Sequence, residues 1–107
     1  MNFYKSKPWI YRREATLKRD GYQCQECKRY GKTEAATTVH HIIPLLWCLI
    51  HDKSLALNPL NLVSLCSKCH NKMHDRDSDK LTKPGIEWVR RLGNKGIEWL
   101  DKYSKDF

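Results

Sequence analysis

A small α+β domain is what this chain of 107 residues predicts, on three observations. Two cysteine pairs, Cys24-Gln25-Glu26-Cys27 and Cys66-Ser67-Lys68-Cys69, offer the four soft thiolates that a tetrahedral structural zinc takes. Two stretches that read as strands, the β-branched residues 37–42 and residues 61–65, lie between the pairs, and the second runs into a helical stretch: strand, loop, strand, helix. The chain is also so short that an apolar core alone barely suffices. In such domains the free energy of zinc binding doubles as folding free energy.

Taken in order, Pro8-Trp9 reads as the first turn of a helix capped by Ser6, because proline suits that turn and a serine oxygen accepts from its free N–H groups. Trp9, Ile10, Ala15 and Leu17 mix with Arg12, Arg13, Lys18 and Arg19 in a short amphipathic helix that Asp20-Gly21 ends. Tyr22 leads into the first cysteine pair, and residues 28–36, polar and carrying Gly31, read as a loop. Residues 37–42 form a strand stopped by Pro44. The apolar run Leu45-Leu46-Trp47-Cys48-Leu49-Ile50 suits a short helix or a buried loop, since periodicity does not separate the two over so few residues. After a turn at Asn58-Pro59 the second strand covers residues 61–65, and a helix from Ser67 to about Asp75 carries Cys69, His70 and His74.

Residues 75–80 are a mixed-charge linker. Beyond it, Gly85-Ile86-Glu87-Trp88 returns as Gly96-Ile97-Glu98-Trp99. The offset of eleven residues is about three helical turns. The segment therefore forms one helix with both tryptophans on one side, or two short helices broken at Gly93-Asn94. The expected organisation is a metal-bearing domain over residues 1–79 and a C-terminal helical tail over residues 80–107, packed on the core or on a partner.

Net charge is +8, and residues 1–32 hold nine basic side chains against three acidic ones. Such a basic stripe selects a polyphosphate partner by neutralising phosphates and releasing counterions. Five cysteines behind an N-terminus with no apolar segment do not suit a secreted disulfide framework. No stretch approaches the roughly 20 apolar residues of a membrane span. The expectation is a soluble, cytoplasmic protein with reduced thiols and no membrane partner.

The histidines are left over for a second task. His70 and His74, four residues apart, share one face of a helix and there bind one metal. His40 and His41 are neighbours in a strand and point to opposite sides. One of them is thus able to reach that metal while the other, with an ordinary pKa near 6.5, serves as a general base. Cys48 reads as a buried free thiol and His51 as a surface residue. Trp9, Trp47, Trp88 and Trp99 read as core or docking anchors.

The string VHHIIPL…NLVSLCSKCHNKMH, preceded by CQECKR, resembles the HNH nuclease family, in its subgroup with paired CxxC knuckles. The opening FYKSKPW…R…LKRDGYQCQEC resembles the lead-in of small phage and prophage HNH proteins. The likeness runs over residues 3–74 and leaves the tail outside. It implies a zinc-stabilised ββα-metal fold, with an N-terminal helix and a helical tail, that nicks or cuts DNA by hydrolysing phosphodiester bonds. It also implies the roles. His40 and His70 ligate one catalytic divalent cation, with His74 as a second ligand from the helix. His41 is the general base that activates water, and Asn61 holds the hairpin loop and the base in orientation.

Many relatives carry Asp where this chain has His40, and an all-imidazole set is softer. It favours Mn²⁺, Ni²⁺, Co²⁺ or Zn²⁺ over Mg²⁺. Lys72 and Arg76, on the same expected helix, are candidates for flanking phosphates, or else a solvated helix face. In phage relatives such proteins often act beside the packaging machinery, so the likeness extends to terminase and portal proteins as partners. Two other readings compete. One is a non-catalytic zinc-ribbon DNA-binding module, which needs neither His41 nor Asn61; the other is a module that docks on a packaging complex through its tail.

Overall fold

The computed structural model describes residues 2–107. Helix α1 (Lys7–Arg19) starts where the Ser6 hydroxyl accepts from the Trp9 N–H, with Pro8 in the first turn. It ends at Asp20, after which Gly21 and Tyr22 both take left-handed backbone, φ 64° and 58°. Two α1 terminus side chains serve the fold. The Arg19 guanidinium donates to the Pro59 and Leu62 carbonyls at 2.7 and 2.8 Å, and the Asp20 carboxylate accepts from the Ser64 N–H at 3.0 Å. One member of the basic stripe is thereby spent on holding α1 to the second strand rather than on a partner.

Helix α2 (Gln25–Arg29) follows, nucleated by the Cys24 sulfur accepting from the Cys27 N–H. The expected loop over 28–36 therefore begins later, because that sulfur cap favours a helical turn before Gly31, φ 76°, reverses the chain. Strands β1 (Thr38–His41) and β2 (Leu62–Leu65) form an antiparallel pair, with Thr38 opposite Leu65 and His41 opposite Leu62. Between them lie helix α3 (Leu45–His51) and two 3-10 turns, Lys53–Leu57 and Pro59–Asn61. The open run is thus a helix, and it places Cys48 wholly in the core. Asn61, expected at the head of the second strand, closes a 3-10 turn instead. The Asn58 side chain caps that turn by accepting from the Leu60 N–H, and Pro59 stands in its first position.

The largest departure from expectation is helix α4 (Ser67–Asn71), which stops four residues short of Asp75. Its continuation is pre-empted by the tail. The Thr82 hydroxyl donates to the Lys72 carbonyl, and the Thr82 N–H donates to the Met73 carbonyl at 3.0 Å. With those acceptors taken, the chain leaves the helix and His74 forms an isolated antiparallel bridge with Leu81. Lys72, His74 and Arg76 consequently do not share a helix face with His70.

Helices α5 (Lys83–Arg90) and α6 (Asn94–Tyr103) complete the chain, so the segment past residue 80 is two helices. Val89 and Trp99 from these helices join Ile43, Cys48, Leu65 and Met73 in the main core. The sequences on either side of residue 80 thus meet in one apolar cluster. The repeated glycine has a steric reason: a Cβ on Gly85 would run into the Met73 carbonyl, and one on Gly96 into the Val89 carbonyl. Gly96→Ala is expected to lower stability by about 1–3 kcal/mol through this overpacking. Thermal unfolding tests it, and an unchanged melting temperature would show that α5 and α6 are able to separate without cost. Among the described residues, no helix is long and apolar enough to cross a membrane.

Candidate active site

The two cysteine pairs sit at the N-terminal turns of α2 and α4, and β2 carries the second pair to the first. All four Sγ atoms lie within 4.8 Å of one another, with Cys27 3.6 Å from Cys69 and 3.9 Å from Cys66. A tetrahedral zinc with Zn–S bonds of about 2.3 Å separates its sulfurs by about 3.8 Å. The thiolates fit that ion. Cys48 stands apart from them, fully buried, its thiol pushed up to about 12 by burial first and by Asp52 second. Lying outside the cluster and among apolar side chains, it packs.

The β1 histidines diverge. The His40 ring is 5.5 Å from that of His70 and 5.6 Å from that of His74, centroid to centroid. The ring of His40 is only 2% exposed, and its Nε2 has no hydrogen-bond partner. A buried, unpaired imidazole nitrogen beside two further imidazoles suits a metal ligand. Burial, then the proximity of His74 and His70, holds His40 well below its ordinary pKa, so its lone pair is free. His70 is lowered for the same reasons, burial first and His74 second. The His74 Nδ1 donates to the Asp79 carbonyl at 3.1 Å, which leaves Nε2 as the free nitrogen. These three side chains fit a borderline divalent cation. Among the described residues, only the four cysteines bring three or more ligand atoms within 4.8 Å of one another, so the imidazole trio is the more open set.

His41 turns to the other side of β1. Its Nε2 lies 3.0 Å from the Ala56 carbonyl, which only accepts, so Nε2 carries the proton and Nδ1 the lone pair. Burial lowers its pKa, and the Ala56 bond works against that. Asn61 braces the loop that supplies this carbonyl. The amide, wholly buried, accepts from the Ile43 N–H at 2.7 Å and donates to the Ile43 carbonyl at 3.2 Å and the Leu55 carbonyl at 3.3 Å. It thus ties the end of β1 to the residue just before Ala56.

His40, His41, His70 and His74 line one cleft of about 720 Å³, with Arg13 and Lys80 on its walls. Arg13 is held there by its bond to the Thr37 carbonyl at 3.2 Å. Arg76 borders a smaller groove with His70 and His74, while Lys72 lines neither cavity. His51 is exposed, stacked on Trp47. Three contributions escaped the sequence reading: the carbonyls of Ala56 and Asp79, which carry no side-chain signature, and Arg13, whose nearness to the site depends on how α1 packs.

The HNH endonuclease family model matches residues 24–76. A probable HNH endonuclease of Lactococcus phage SK1 is 39% identical over 70 residues, which are 65% of this chain and 72% of that protein. A crystal structure of the HNH endonuclease of deep-sea thermophilic bacteriophage GVE2 with manganese ion aligns with a TM-score of 0.58 and 45% identity, over 64% of this chain and 71% of that one.

Proposed function

Since this chain belongs to the HNH endonuclease family, we propose that it hydrolyses a DNA phosphodiester with His41 as general base and one divalent cation held by His40, His70 and His74. The observation that carries this reading is the division of labour across β1. An orphaned, buried His40 Nε2 faces two imidazoles, while His41 on the reverse side is tied through Nε2 and keeps Nδ1 for a proton.

In the reaction, water attacks the phosphorus in line with the leaving 3′ oxygen. His41 Nδ1 takes the water's proton and becomes an imidazolium whose other N–H stays on the Ala56 carbonyl. Asn61 keeps that carbonyl in place without touching substrate. A divalent cation would supply charge neutralisation on the phosphoryl and leaving oxygens. His40, His70 and His74 would hold that ion, and Mn²⁺, the ion in the phage GVE2 structure, suits an all-imidazole set alongside Ni²⁺, Co²⁺ and Zn²⁺. A second, structural Zn²⁺ belongs to Cys24, Cys27, Cys66 and Cys69. Arg76, and more distantly Lys72, take flanking phosphates. A phage origin is supported by the phage relatives, and we further propose that the protein works in the host cytoplasm, beside the terminase and portal proteins.

The test is a supercoiled plasmid assay with Mg²⁺, Mn²⁺, Ni²⁺, Co²⁺ or Zn²⁺ added in turn to zinc-loaded protein. Metal-dependent nicked or linear product is expected, strongest with Mn²⁺, Ni²⁺ or Co²⁺. Protein that binds the plasmid and leaves it supercoiled with every ion would return the chain to the non-catalytic DNA-binding reading.

A further inference from the structure

His41 is boxed in by three aromatic rings, all from the N-terminal segment and outside the stretch that the family model matches. Trp9 lies flat on the imidazole, with centroids 4.9 Å apart and planes 24° from parallel. Phe3 and Tyr4 meet the same ring edge-on, at 5.7 and 6.3 Å. The three also pack on one another at 5.3 to 5.6 Å. Ser6 fastens this segment to α1: its hydroxyl donates to the Phe3 carbonyl at 2.7 Å and accepts from the Trp9 N–H at 3.4 Å. Helix α1 is in turn fixed to both strands, by Arg13 on the Thr37 carbonyl and by Arg19 on the Leu62 carbonyl. The aromatic platform is therefore tied to the sheet through α1.

What the platform adds follows from the geometry of a histidine side chain. The Ala56 carbonyl holds Nε2, which lies nearer than Nδ1 to the Cβ–Cγ axis about which the ring turns, so that bond fixes Nδ1 only indirectly. The Nδ1 atom lies farther from the axis and swings with it. The torsion has a broad minimum of its own. A face-to-face neighbour sets the ring plane, and with it the direction of Nδ1.

We propose that Trp9 is a positioning residue of this endonuclease, fixing the His41 ring plane by stacking so that Nδ1 is held toward the attacking water, with Phe3 and Tyr4 closing the box. This rests on His41 being the base. Trp9 also packs with Leu17, Val39 and Leu62, so loss of bulk has to be separated from loss of the stack.

Trp9→Leu keeps apolar bulk and removes the ring; Trp9→Phe keeps an aromatic face. Both are to be compared with wild type in single-turnover cleavage under saturating protein. There the rate constant reports the active molecules and the amplitude reports their fraction. Zinc content and DNA affinity are measured alongside. Trp9→Leu is expected to cleave about 10- to 100-fold more slowly at unchanged DNA affinity, the scale of loss for a misaligned catalytic group, and Trp9→Phe to recover most of that rate. A wild-type rate constant in Trp9→Leu, or one equally low in Trp9→Phe, overturns the proposal. The base assignment fails separately, if His41→Ala cleaves at the wild-type rate.

Discussion

Replacing His41 by alanine is expected to slow cleavage by about 10²–10⁴-fold, the range that a general base contributes. The fold, zinc content and DNA affinity should stay close to wild type, with a lower melting temperature because the buried ring packs on Trp9 and bonds the Ala56 carbonyl. The ring is not part of the cysteine cluster, and its proton transfer matters only in the transition state. His70→Ala is the control that distinguishes base from ligand. It should weaken binding of the cleavage-supporting cation, so that added Mn²⁺ restores part of the rate, whereas no concentration of ion should restore His41→Ala. Calorimetric titration of Mn²⁺ into the three proteins reads this directly. If His41→Ala lost Mn²⁺ and His70→Ala kept it, the roles across β1 would be reversed.

Cys66→Ser is expected to unfold most of the chain. Structural zinc in small domains is bound with about 10–16 kcal/mol, comparable to or larger than the whole stability of a domain this size, about 5–15 kcal/mol. The loss of one thiolate leaves three, with Cys24 and Cys69 buried and unable to pass to water as anions while the fold persists. Chelation of the wild-type protein should have the same effect, seen as loss of the cooperative thermal transition and of far-ultraviolet helical signal. Cys48→Ser provides the contrast. That thiol is equally buried but lies outside the cluster, donating to the Ile43 carbonyl at 3.5 Å, and a hydroxyl is able to make the same bond. Its variant should fold, bind zinc and cleave. A folded, zinc-free Cys66→Ser protein would mean that the apolar core alone holds the domain.

Much of this was written in local patterns. The Ser6 cap and Pro8 place the start of α1 within a residue, because capping is decided by atoms three positions apart. The cysteine pairs needed only two-residue spacers to form half a tetrahedron each, and the strand between them could bring the halves together with no further instruction. Adjacent residues on a strand face opposite ways, which is enough to send His40 and His41 to different surroundings.

Other features depended on chain segments far apart. Helical spacing put His74 on a helix with His70, yet that helix ends at Asn71, because Thr82 takes the carbonyls that a longer helix would have used. His74 still faces His40, but what aims it is the Asp79 carbonyl and a bridge to Leu81, not the four-residue interval. The brace on His41 is of the same kind: a backbone oxygen at Ala56, a buried amide at Asn61, and an indole from α1, separated by up to 52 positions. Local sequence thus determined the cysteine cluster and the strand that divides the two histidines, since each follows from covalent spacing and backbone period. Only the tertiary structure decided which contacts hold each histidine. Main-chain carbonyls are the same in every residue, and a hydrogen-bond acceptor is chosen by what folds next to it.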